Sequence, residues 1–365
     1  MSIKIYTLEQ KEEWDAIVRT FADYDVYYLS GYVKAFQIHG DGEPILIYFQ
    51  KQHTRAINVV IKRDLFDYEF FSNAVSSATY YDITTPYGYG GFLVEGNDLI
   101  SLQEEYESFC EKESIVCEFV RFHPLLENWK GLEHLYEETH LGETVFMDTQ
   151  NEDVIWKNMT SKNRNMIRKA QKSGLKVYWG RDPRLIEPFI EIYNATMKKD
   201  NAENYYYFSK EFYESVLEDL KQNSMWFYTK KEDDIAAIAI FMFCNGKMHY
   251  HLSASKKEYQ NLAPSNLMLY EAAIWAANHG YKKLHMGGGV GSGHDSLYKF
   301  KKAFNRERDS EFYIGKKIFM KDKYMELCKL RRKIDPDFNE NTKYFPAYRG
   351  ERIDHVSDEG EQERM

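Results

Sequence analysis

The sequence predicts a mixed α/β protein (α+β sheets) arranged as two domains side by side. Three observations carry this reading. The 365 residues suffice for two domains of ordinary size. Helical and strand-like segments alternate in both halves with no long linker between them. The longest apolar run, Ile235 to Cys244, has ten residues, half of a membrane span, and so reads as a buried strand.

Residues 1–150 make the expected first domain. A polar helix (Leu8 to Thr20) precedes strands at Pro44 to Gln50 and Ala56 to Ile61. A helix (Leu99 to Glu113) and a strand (Ile115 to Phe122) follow, ending at Arg121-Phe122-His123-Pro124. The most unusual segment is YYDITTPYGYGG, residues 80–91, with three glycines in its last four positions. Glycines flanked by aromatics let backbone approach a ligand closely, which makes Tyr81, Tyr87 and Tyr89 candidate contacts. A tight, aromatic-packed turn explains the same residues. Asp82 is the candidate for handling an amine, as proton acceptor or charge partner, and reads equally as a cap for that turn.

Residues 151–335 make the second domain, entered from a strand at Thr144 to Thr149. Thr160 or Ser161 caps a helix that ends near Ser173-Gly174. Met166, Ile167 and Ala170 share one face of it, and Arg164, Arg168 and Lys172 lie roughly opposite. Ile155 to Arg181 holds eight Lys or Arg and no acid, so nothing within the run neutralises those arginines, and Arg clasps phosphate with two donors. A solvated basic face is the alternative. Further helices (Pro183 to Lys199, Glu211 to Gln222) and strands (Met225 to Lys230, Ile235 to Phe243) lead into the chemically richest stretch, His249 to Phe304.

That stretch opens on a strand, HYHL, with Tyr250 and His251 as candidate contacts. Pro264 suits the first turn of a long apolar helix and Gly280 its stop. The backbone N–H groups of Ser265 and Asn266 open this helix and form an anion site through its dipole. A short strand then enters Gly287-Gly288-Gly289. Gly288 is a candidate for cradling an anion, although the spacing is neither that of a P-loop nor of a dinucleotide fingerprint. Asp295 caps a last helix bearing Phe300, Lys301 and Phe304. Residues 336–365 read as an extended, partly disordered acidic tail.

The net charge of −9 opposes a general nucleic-acid coat. Four cysteines without CxxC spacing suggest neither disulfides nor a zinc site, so no metal is expected. The opening MSIKIYTLEQKEEW lacks the apolar core of a secretory signal, so the expected location is cytoplasmic, with no membrane span.

Three segments, SKNRNMIRKAQKSG, APSNLMLYEAAIWAANHGYKKLHMGGG and DSLYKFKKAF, together resemble the FemAB-like branch of the GNAT superfamily, which includes the peptidoglycan-bridge acyltransferases. YYDITTPYGYGG and VRFHP look like its envelope-polysaccharide members. The resemblance covers most of residues 155–305. It implies two tandem GNAT-like domains with an interdomain cleft, and transfer of an acyl or aminoacyl group to an amine. In proteins this one resembles, the lysine of an FK pair stabilises charge near the reacting carbonyl or a neighbouring phosphate, and Phe300-Lys301 matches that pair. Phe300 would wall the pocket.

The expected donor is acyl-CoA, because no long helical hairpin of the kind some bridge-forming members carry is evident. Aminoacyl-tRNA, and with it tRNA as a partner, is the alternative. The expected acceptor is an amine of an amino sugar or of a lipid- or nucleotide-linked cell-envelope glycan. A non-catalytic glycan- or phosphate-binding protein is the competing reading from another class, and an RNA binder using Arg164, Arg168 and Lys172 is a third.

Overall fold

Residues 2–339 and 342–350 are described by a computed structural model. The earlier half supplies strands β1 (Ile3–Tyr6), β2 (Glu43–Lys51), β3 (Thr54–Asp64), β4 (Tyr81–Thr84), β5 (Leu93–Glu95), β6 (Ile115–Arg121) and β7 (Glu137–Asp148). The later half supplies β8 (Leu175–Gly180), β9 (Ser224–Lys231), β10 (Asp234–Cys244), β11 (Lys247–Ser255), β12 (Lys283–Gly287) and β13 (Ser310–Ile318). Among the described residues these thirteen strands join into one mixed sheet, in the order β1-β2-β3-β4-β6-β13-β7-β12-β11-β10-β9-β8, with β5 beside β3.

Each half follows one plan. An antiparallel hairpin (β2–β3, β9–β10) is followed by a strand, a helix, and a strand parallel to the first. The parallel pairs are β4–β6 around helix Leu99–Lys112 and β11–β12 around helix Pro264–Asn278. Parallel neighbours need such a crossover, which is why a long helix separates them in sequence. The final strands then change sides. β7 leaves the earlier half to pair with β12, and β13 leaves the later half to pair with β6. Because β7 and β13 also pair with each other, the exchange welds the strands of the two halves into one surface.

The halves share a core as well as a sheet. Trp14, Tyr32 and Phe36 from the earlier half pack in one apolar cluster with Phe189, Phe212 and Trp226 from the later half. Helix Ser30–His39 meets helix Lys210–Asp219 closely enough that a Cβ on Gly31 would lie 2.6 Å from the Asp219 carbonyl oxygen. Only glycine permits that approach. The apolar run foreseen as a strand is β10, buried on both faces. Ile238, Ile240 and Met242 enter the shared core, while Ala239, Phe241 and Phe243 pack under helix Pro264–Asn278 with Leu267 and Trp275.

Chain order and packing do not coincide at the C-terminal end. After β13, residues 342–350 fold back on the earlier half, where Tyr348 is fully buried beside Asp82 and Cys117. The range expected as an extended tail, 336–365, is therefore packed over 342–350, and its acidic residues from 351 onward lie outside the described residues. No helix among the described residues is long and apolar enough to cross a membrane.

Candidate active site

The parallel pairing of β11 with β12 stops at His249–His285. Beyond that rung β11 stays with β10 and β12 stays with β7, so the two strands part. The helix Pro264–Asn278 starts level with the open end, where the Thr229 hydroxyl donates to the Pro264 carbonyl at 3.2 Å. Pro264 occupies the first turn as expected, and no side chain caps the helix start. Asn266 instead donates its side-chain amide to Asn163 Oδ1 at 2.7 Å.

Lys301 closes one end of this opening. Asp295 caps the short helix Ser296–Lys302 by accepting from the Tyr298 N–H at 2.8 Å, which turns Lys301 inward. Its Nζ donates to the Gly288 carbonyl at 2.6 Å, and the residue is only 9% exposed. Burial disfavours the ammonium and lowers its pKa to about 8, with Asp295 opposing the shift. Tyr89 reaches the same spot from the earlier half. A Cβ on Gly287 would lie 3.4 Å from Lys301 Nζ and 3.9 Å from Tyr89 Oη. Lys301, Gly288 and Tyr89, singled out separately in the sequence, are thus brought together.

Beneath Tyr89 lies a polar cluster that sequence reasoning missed. Asp25 Oδ2 accepts from His123 Nε2 at 2.9 Å and pairs with His249 Nε2 at 3.0 Å, and all three residues are buried. The two histidines hold the Asp25 carboxyl far below the usual range, against the cost of burial. Two imidazoles and a carboxylate this close match metal-ligand types. The tautomer argues otherwise. The Leu125 N–H donates to His123 Nδ1 at 3.2 Å, so the proton of the neutral ring sits on Nε2 and points at Asp25. A metal would need that nitrogen bare, so the donor set does not fit one. The cluster is a hydrogen-bonded pin between the halves, with His249 on the last rung before the strands part. The signal for it was the VRFHP and HYH strings, which carry His123 and His249, but nothing local announces Asp25.

Several expected site residues serve other purposes. Asp82 is completely buried and binds Arg63 Nε and Arg349 Nε, each at 2.6 Å, while accepting from the Tyr348 hydroxyl at 2.9 Å. The two guanidiniums hold its pKa below the usual range despite burial, so it has neither the basicity nor the access to take a proton from an amine. Tyr81 stacks under Lys62 at 3.9 Å, away from Lys301. Arg164 donates to the Met159 and Trp156 carbonyls at 2.6 and 3.3 Å, capping the end of helix Glu152–Asn158 rather than a phosphate. Arg168 lies exposed over the Trp156 ring at 5.0 Å and bonds Asn165, and Lys172 is exposed near the helix end. None of the three shares a partner with Lys301. Phe300 packs edge-on against Phe304 at 5.5 Å, one helical turn along.

The aromatic candidates line the seam more faithfully. Tyr87 stacks on Phe36 at 5.5 Å and meets the His251 ring edge-on at 5.7 Å. Burial drops His251 to about 3, so it is neutral. Tyr250 turns to the other side, tilted on Phe241 at 5.3 Å. Arg121, quoted in the sequence only as part of a strand end, is exposed, draws the Tyr87 and Tyr89 hydroxyls electrostatically, and has no carboxylate partner among the described residues. Two surface hollows, of about 340 and 330 Å³, lie elsewhere, beside Glu95 and Leu126 and between Val177 and Leu267.

The part of the chain that bears this lysine-closed opening matches a known class of acyltransferase domain. Residues 157–302 match the acetyltransferase (GNAT) domain family. Among solved structures the chain is similar to FemX (TM-score 0.65, 16% identity, covering 89% of this chain and 99% of that one). A conserved protein of unknown function from Bacteroides thetaiotaomicron follows (TM-score 0.56, 12% identity, 86% and 98% covered). So does the C-terminal domain of a putative lysylphosphatidylglycerol synthetase from Agrobacterium fabrum (TM-score 0.53, 11% identity, 85% and 91% covered). No curated protein sequence matches it. The chain thus carries a GNAT domain over residues 157–302, within a fold similar to that of FemX.

Proposed function

We propose that the protein is an N-acyltransferase that moves an acyl group from acyl-CoA to an amine of an amino sugar or cell-envelope glycan precursor, working in the cytoplasm. The earlier half, residues 1–150, and the later half, 151–335, act as two GNAT-like units that bring acceptor and donor together. The observation that carries this reading is Lys301, an inward-turned lysine with two N–H groups left over, at the point where β11 and β12 part.

Acyl transfer needs the acceptor amine and the donor carbonyl aligned, which alone supplies roughly 7–11 kcal/mol of the barrier. The uncapped first turn of Pro264–Asn278, with its free Ser265 and Asn266 amides, suits a donor phosphate. The partly buried Tyr87 ring and the exposed Arg121 suit an acceptor that carries hydroxyls and negative charge. Lys301 as ammonium stabilises the charge that develops on the carbonyl oxygen.

Transfer of an aminoacyl group, for which aminoacyl-tRNA is the second donor, is in keeping with one neighbour whose description pairs a lysyl group with a phospholipid. An assay of acyl-CoA thioesters and of charged tRNA against amino-sugar acceptors separates the two. Release of CoA thiol coupled to amide formation supports the first reading. Transfer from tRNA with no thiol released from any thioester overturns the donor assignment, and ligand binding without any transfer supports the non-catalytic reading.

A further inference from the structure

We propose that the Tyr89 hydroxyl is the second hydrogen-bond donor to the reacting carbonyl oxygen, so that the oxyanion site is built jointly by the two halves. This rests on the acyl-transfer reading above.

The argument begins with unused donors. Lys301 Nζ spends one N–H on the Gly288 carbonyl. Tyr89 Oη has no hydrogen-bond partner among the described residues, although its ring is closely held. Tyr27, His123, His285 and Phe312 all pack around it, with ring centroids 5.2–5.8 Å away. A ring fixed on four sides aims its hydroxyl in one direction, and that direction is bare glycine backbone shared with Lys301.

No protein acceptor fills the space between. The Asp295 carboxylate is taken by the Tyr298 and Val290 N–H groups, and His285 Nε2 is committed to Thr144 Oγ1 at 2.9 Å. Burial raises the Tyr89 pKa strongly, so the phenol keeps its proton and can only donate to an anion. Fixed donors converging without an acceptor are satisfied by an oxygen that gains negative charge. Gly287, with φ of +74°, leaves that oxygen room that any side chain would take.

The step balances as follows. The amine lone pair forms the C–N bond while the carbonyl π pair moves onto oxygen, held by the Tyr89 O–H and a Lys301 N–H. Collapse restores the carbonyl and breaks the bond to the leaving group, which departs with that electron pair. The proton released by nitrogen ends on the leaving thiol or hydroxyl. The Asp25 pin contributes as a positioning device, because it fixes His123, one of the four rings around Tyr89.

The test uses the full-length protein with Tyr89→Phe, Lys301→Gln and the double variant, on the substrate pair identified by the donor assay. Tyr89→Phe removes one oxygen from a packed ring, and it is expected to lower kcat on the order of 10² with KM changed less than twofold. The double variant should lose less than the product of the single losses, because both donors serve one oxygen. A second readout needs no turnover: the infrared stretch of the 13C-labelled carbonyl of bound acetyl-CoA should lie lower in the wild type than in Tyr89→Phe. Unchanged kcat in Tyr89→Phe, fully multiplicative losses, or identical stretches overturn the proposal. Transfer that persists at full rate in Tyr89→Phe refutes Tyr89 alone, whereas no transfer from any donor refutes the acyltransferase reading beneath it.

Discussion

Glu118→Gln should stabilise the protein at alkaline pH and do little in acid. Glu118 on β6 is completely buried under helix Leu99–Lys112, accepting from Asn58 Nδ2 at 2.7 Å and from the Tyr106 and Tyr136 hydroxyls at 2.9 Å each. Those bonds favour the charged form, yet burial outweighs them and raises the pKa from 4.5 to about 7. A carboxyl whose folded-state pKa is raised supports the fold fully below the unfolded value. That contribution is lost as pH climbs through about 7. The rise corresponds to roughly 3 kcal/mol between pH 4.5 and pH 8. The glutamine is neutral throughout and escapes the loss. It also resolves a second strain, because Asn58 Oδ1 is buried without a partner and the new amide can donate to it. Urea denaturation at pH 5 and pH 8 measures the effect. The variant should gain about 3 kcal/mol on the wild type over that interval, and a gap that is the same at both pH values refutes the assignment.

Three further outcomes follow from the seam. Lys301→Gln should cost on the order of 10²–10³ in kcat. If the ammonium is the working form, wild-type kcat should fall as pH rises through about 8, while Lys301→Arg carries its charge to higher pH, which a pH–rate profile checks. Asp82→Asn strands two partly buried guanidiniums and should destabilise by about 3 kcal/mol, yet kcat at a temperature where the variant is folded should stay near wild type. A collapse of kcat with unchanged melting would restore Asp82 as a base. Asp25→Asn places an amide donor either against the Val26 N–H, from which Oδ1 now accepts, or against the His123 N–H, and should cost about 3 kcal/mol, seen as a lowered urea midpoint.

Local chemistry was legible in the sequence wherever it depends on neighbours in the chain. Pro264 does open its helix, Asp295 and Thr160 do cap theirs, and Gly280 adopts a φ of +82°. Caps and turns are decided within a few residues, and β10 betrays itself by an unbroken apolar run. Lys301 was readable too, although only through the company of Phe300 in a motif.

What the chain order could not convey is which side chains spend their charge on one another. Arg164 looked free because its run holds no acid, but its partners are backbone carbonyls, which are invisible to charge counting. Asp82 looked available because Arg349 stands 267 residues away, and the pairing exists only because the end of the chain folds back. Asp25, His123 and His249 meet for a similar reason: β11 and the earlier half close on one core, and burial then favours arrangements in which polar atoms find partners. The exchange of β7 and β13 is likewise a long-range choice. Composition and periodicity therefore determined the elements, while the expected class of chemistry came from the resemblance of three motifs. Packing between distant segments decided which residues were left unpaired and able to act on a substrate.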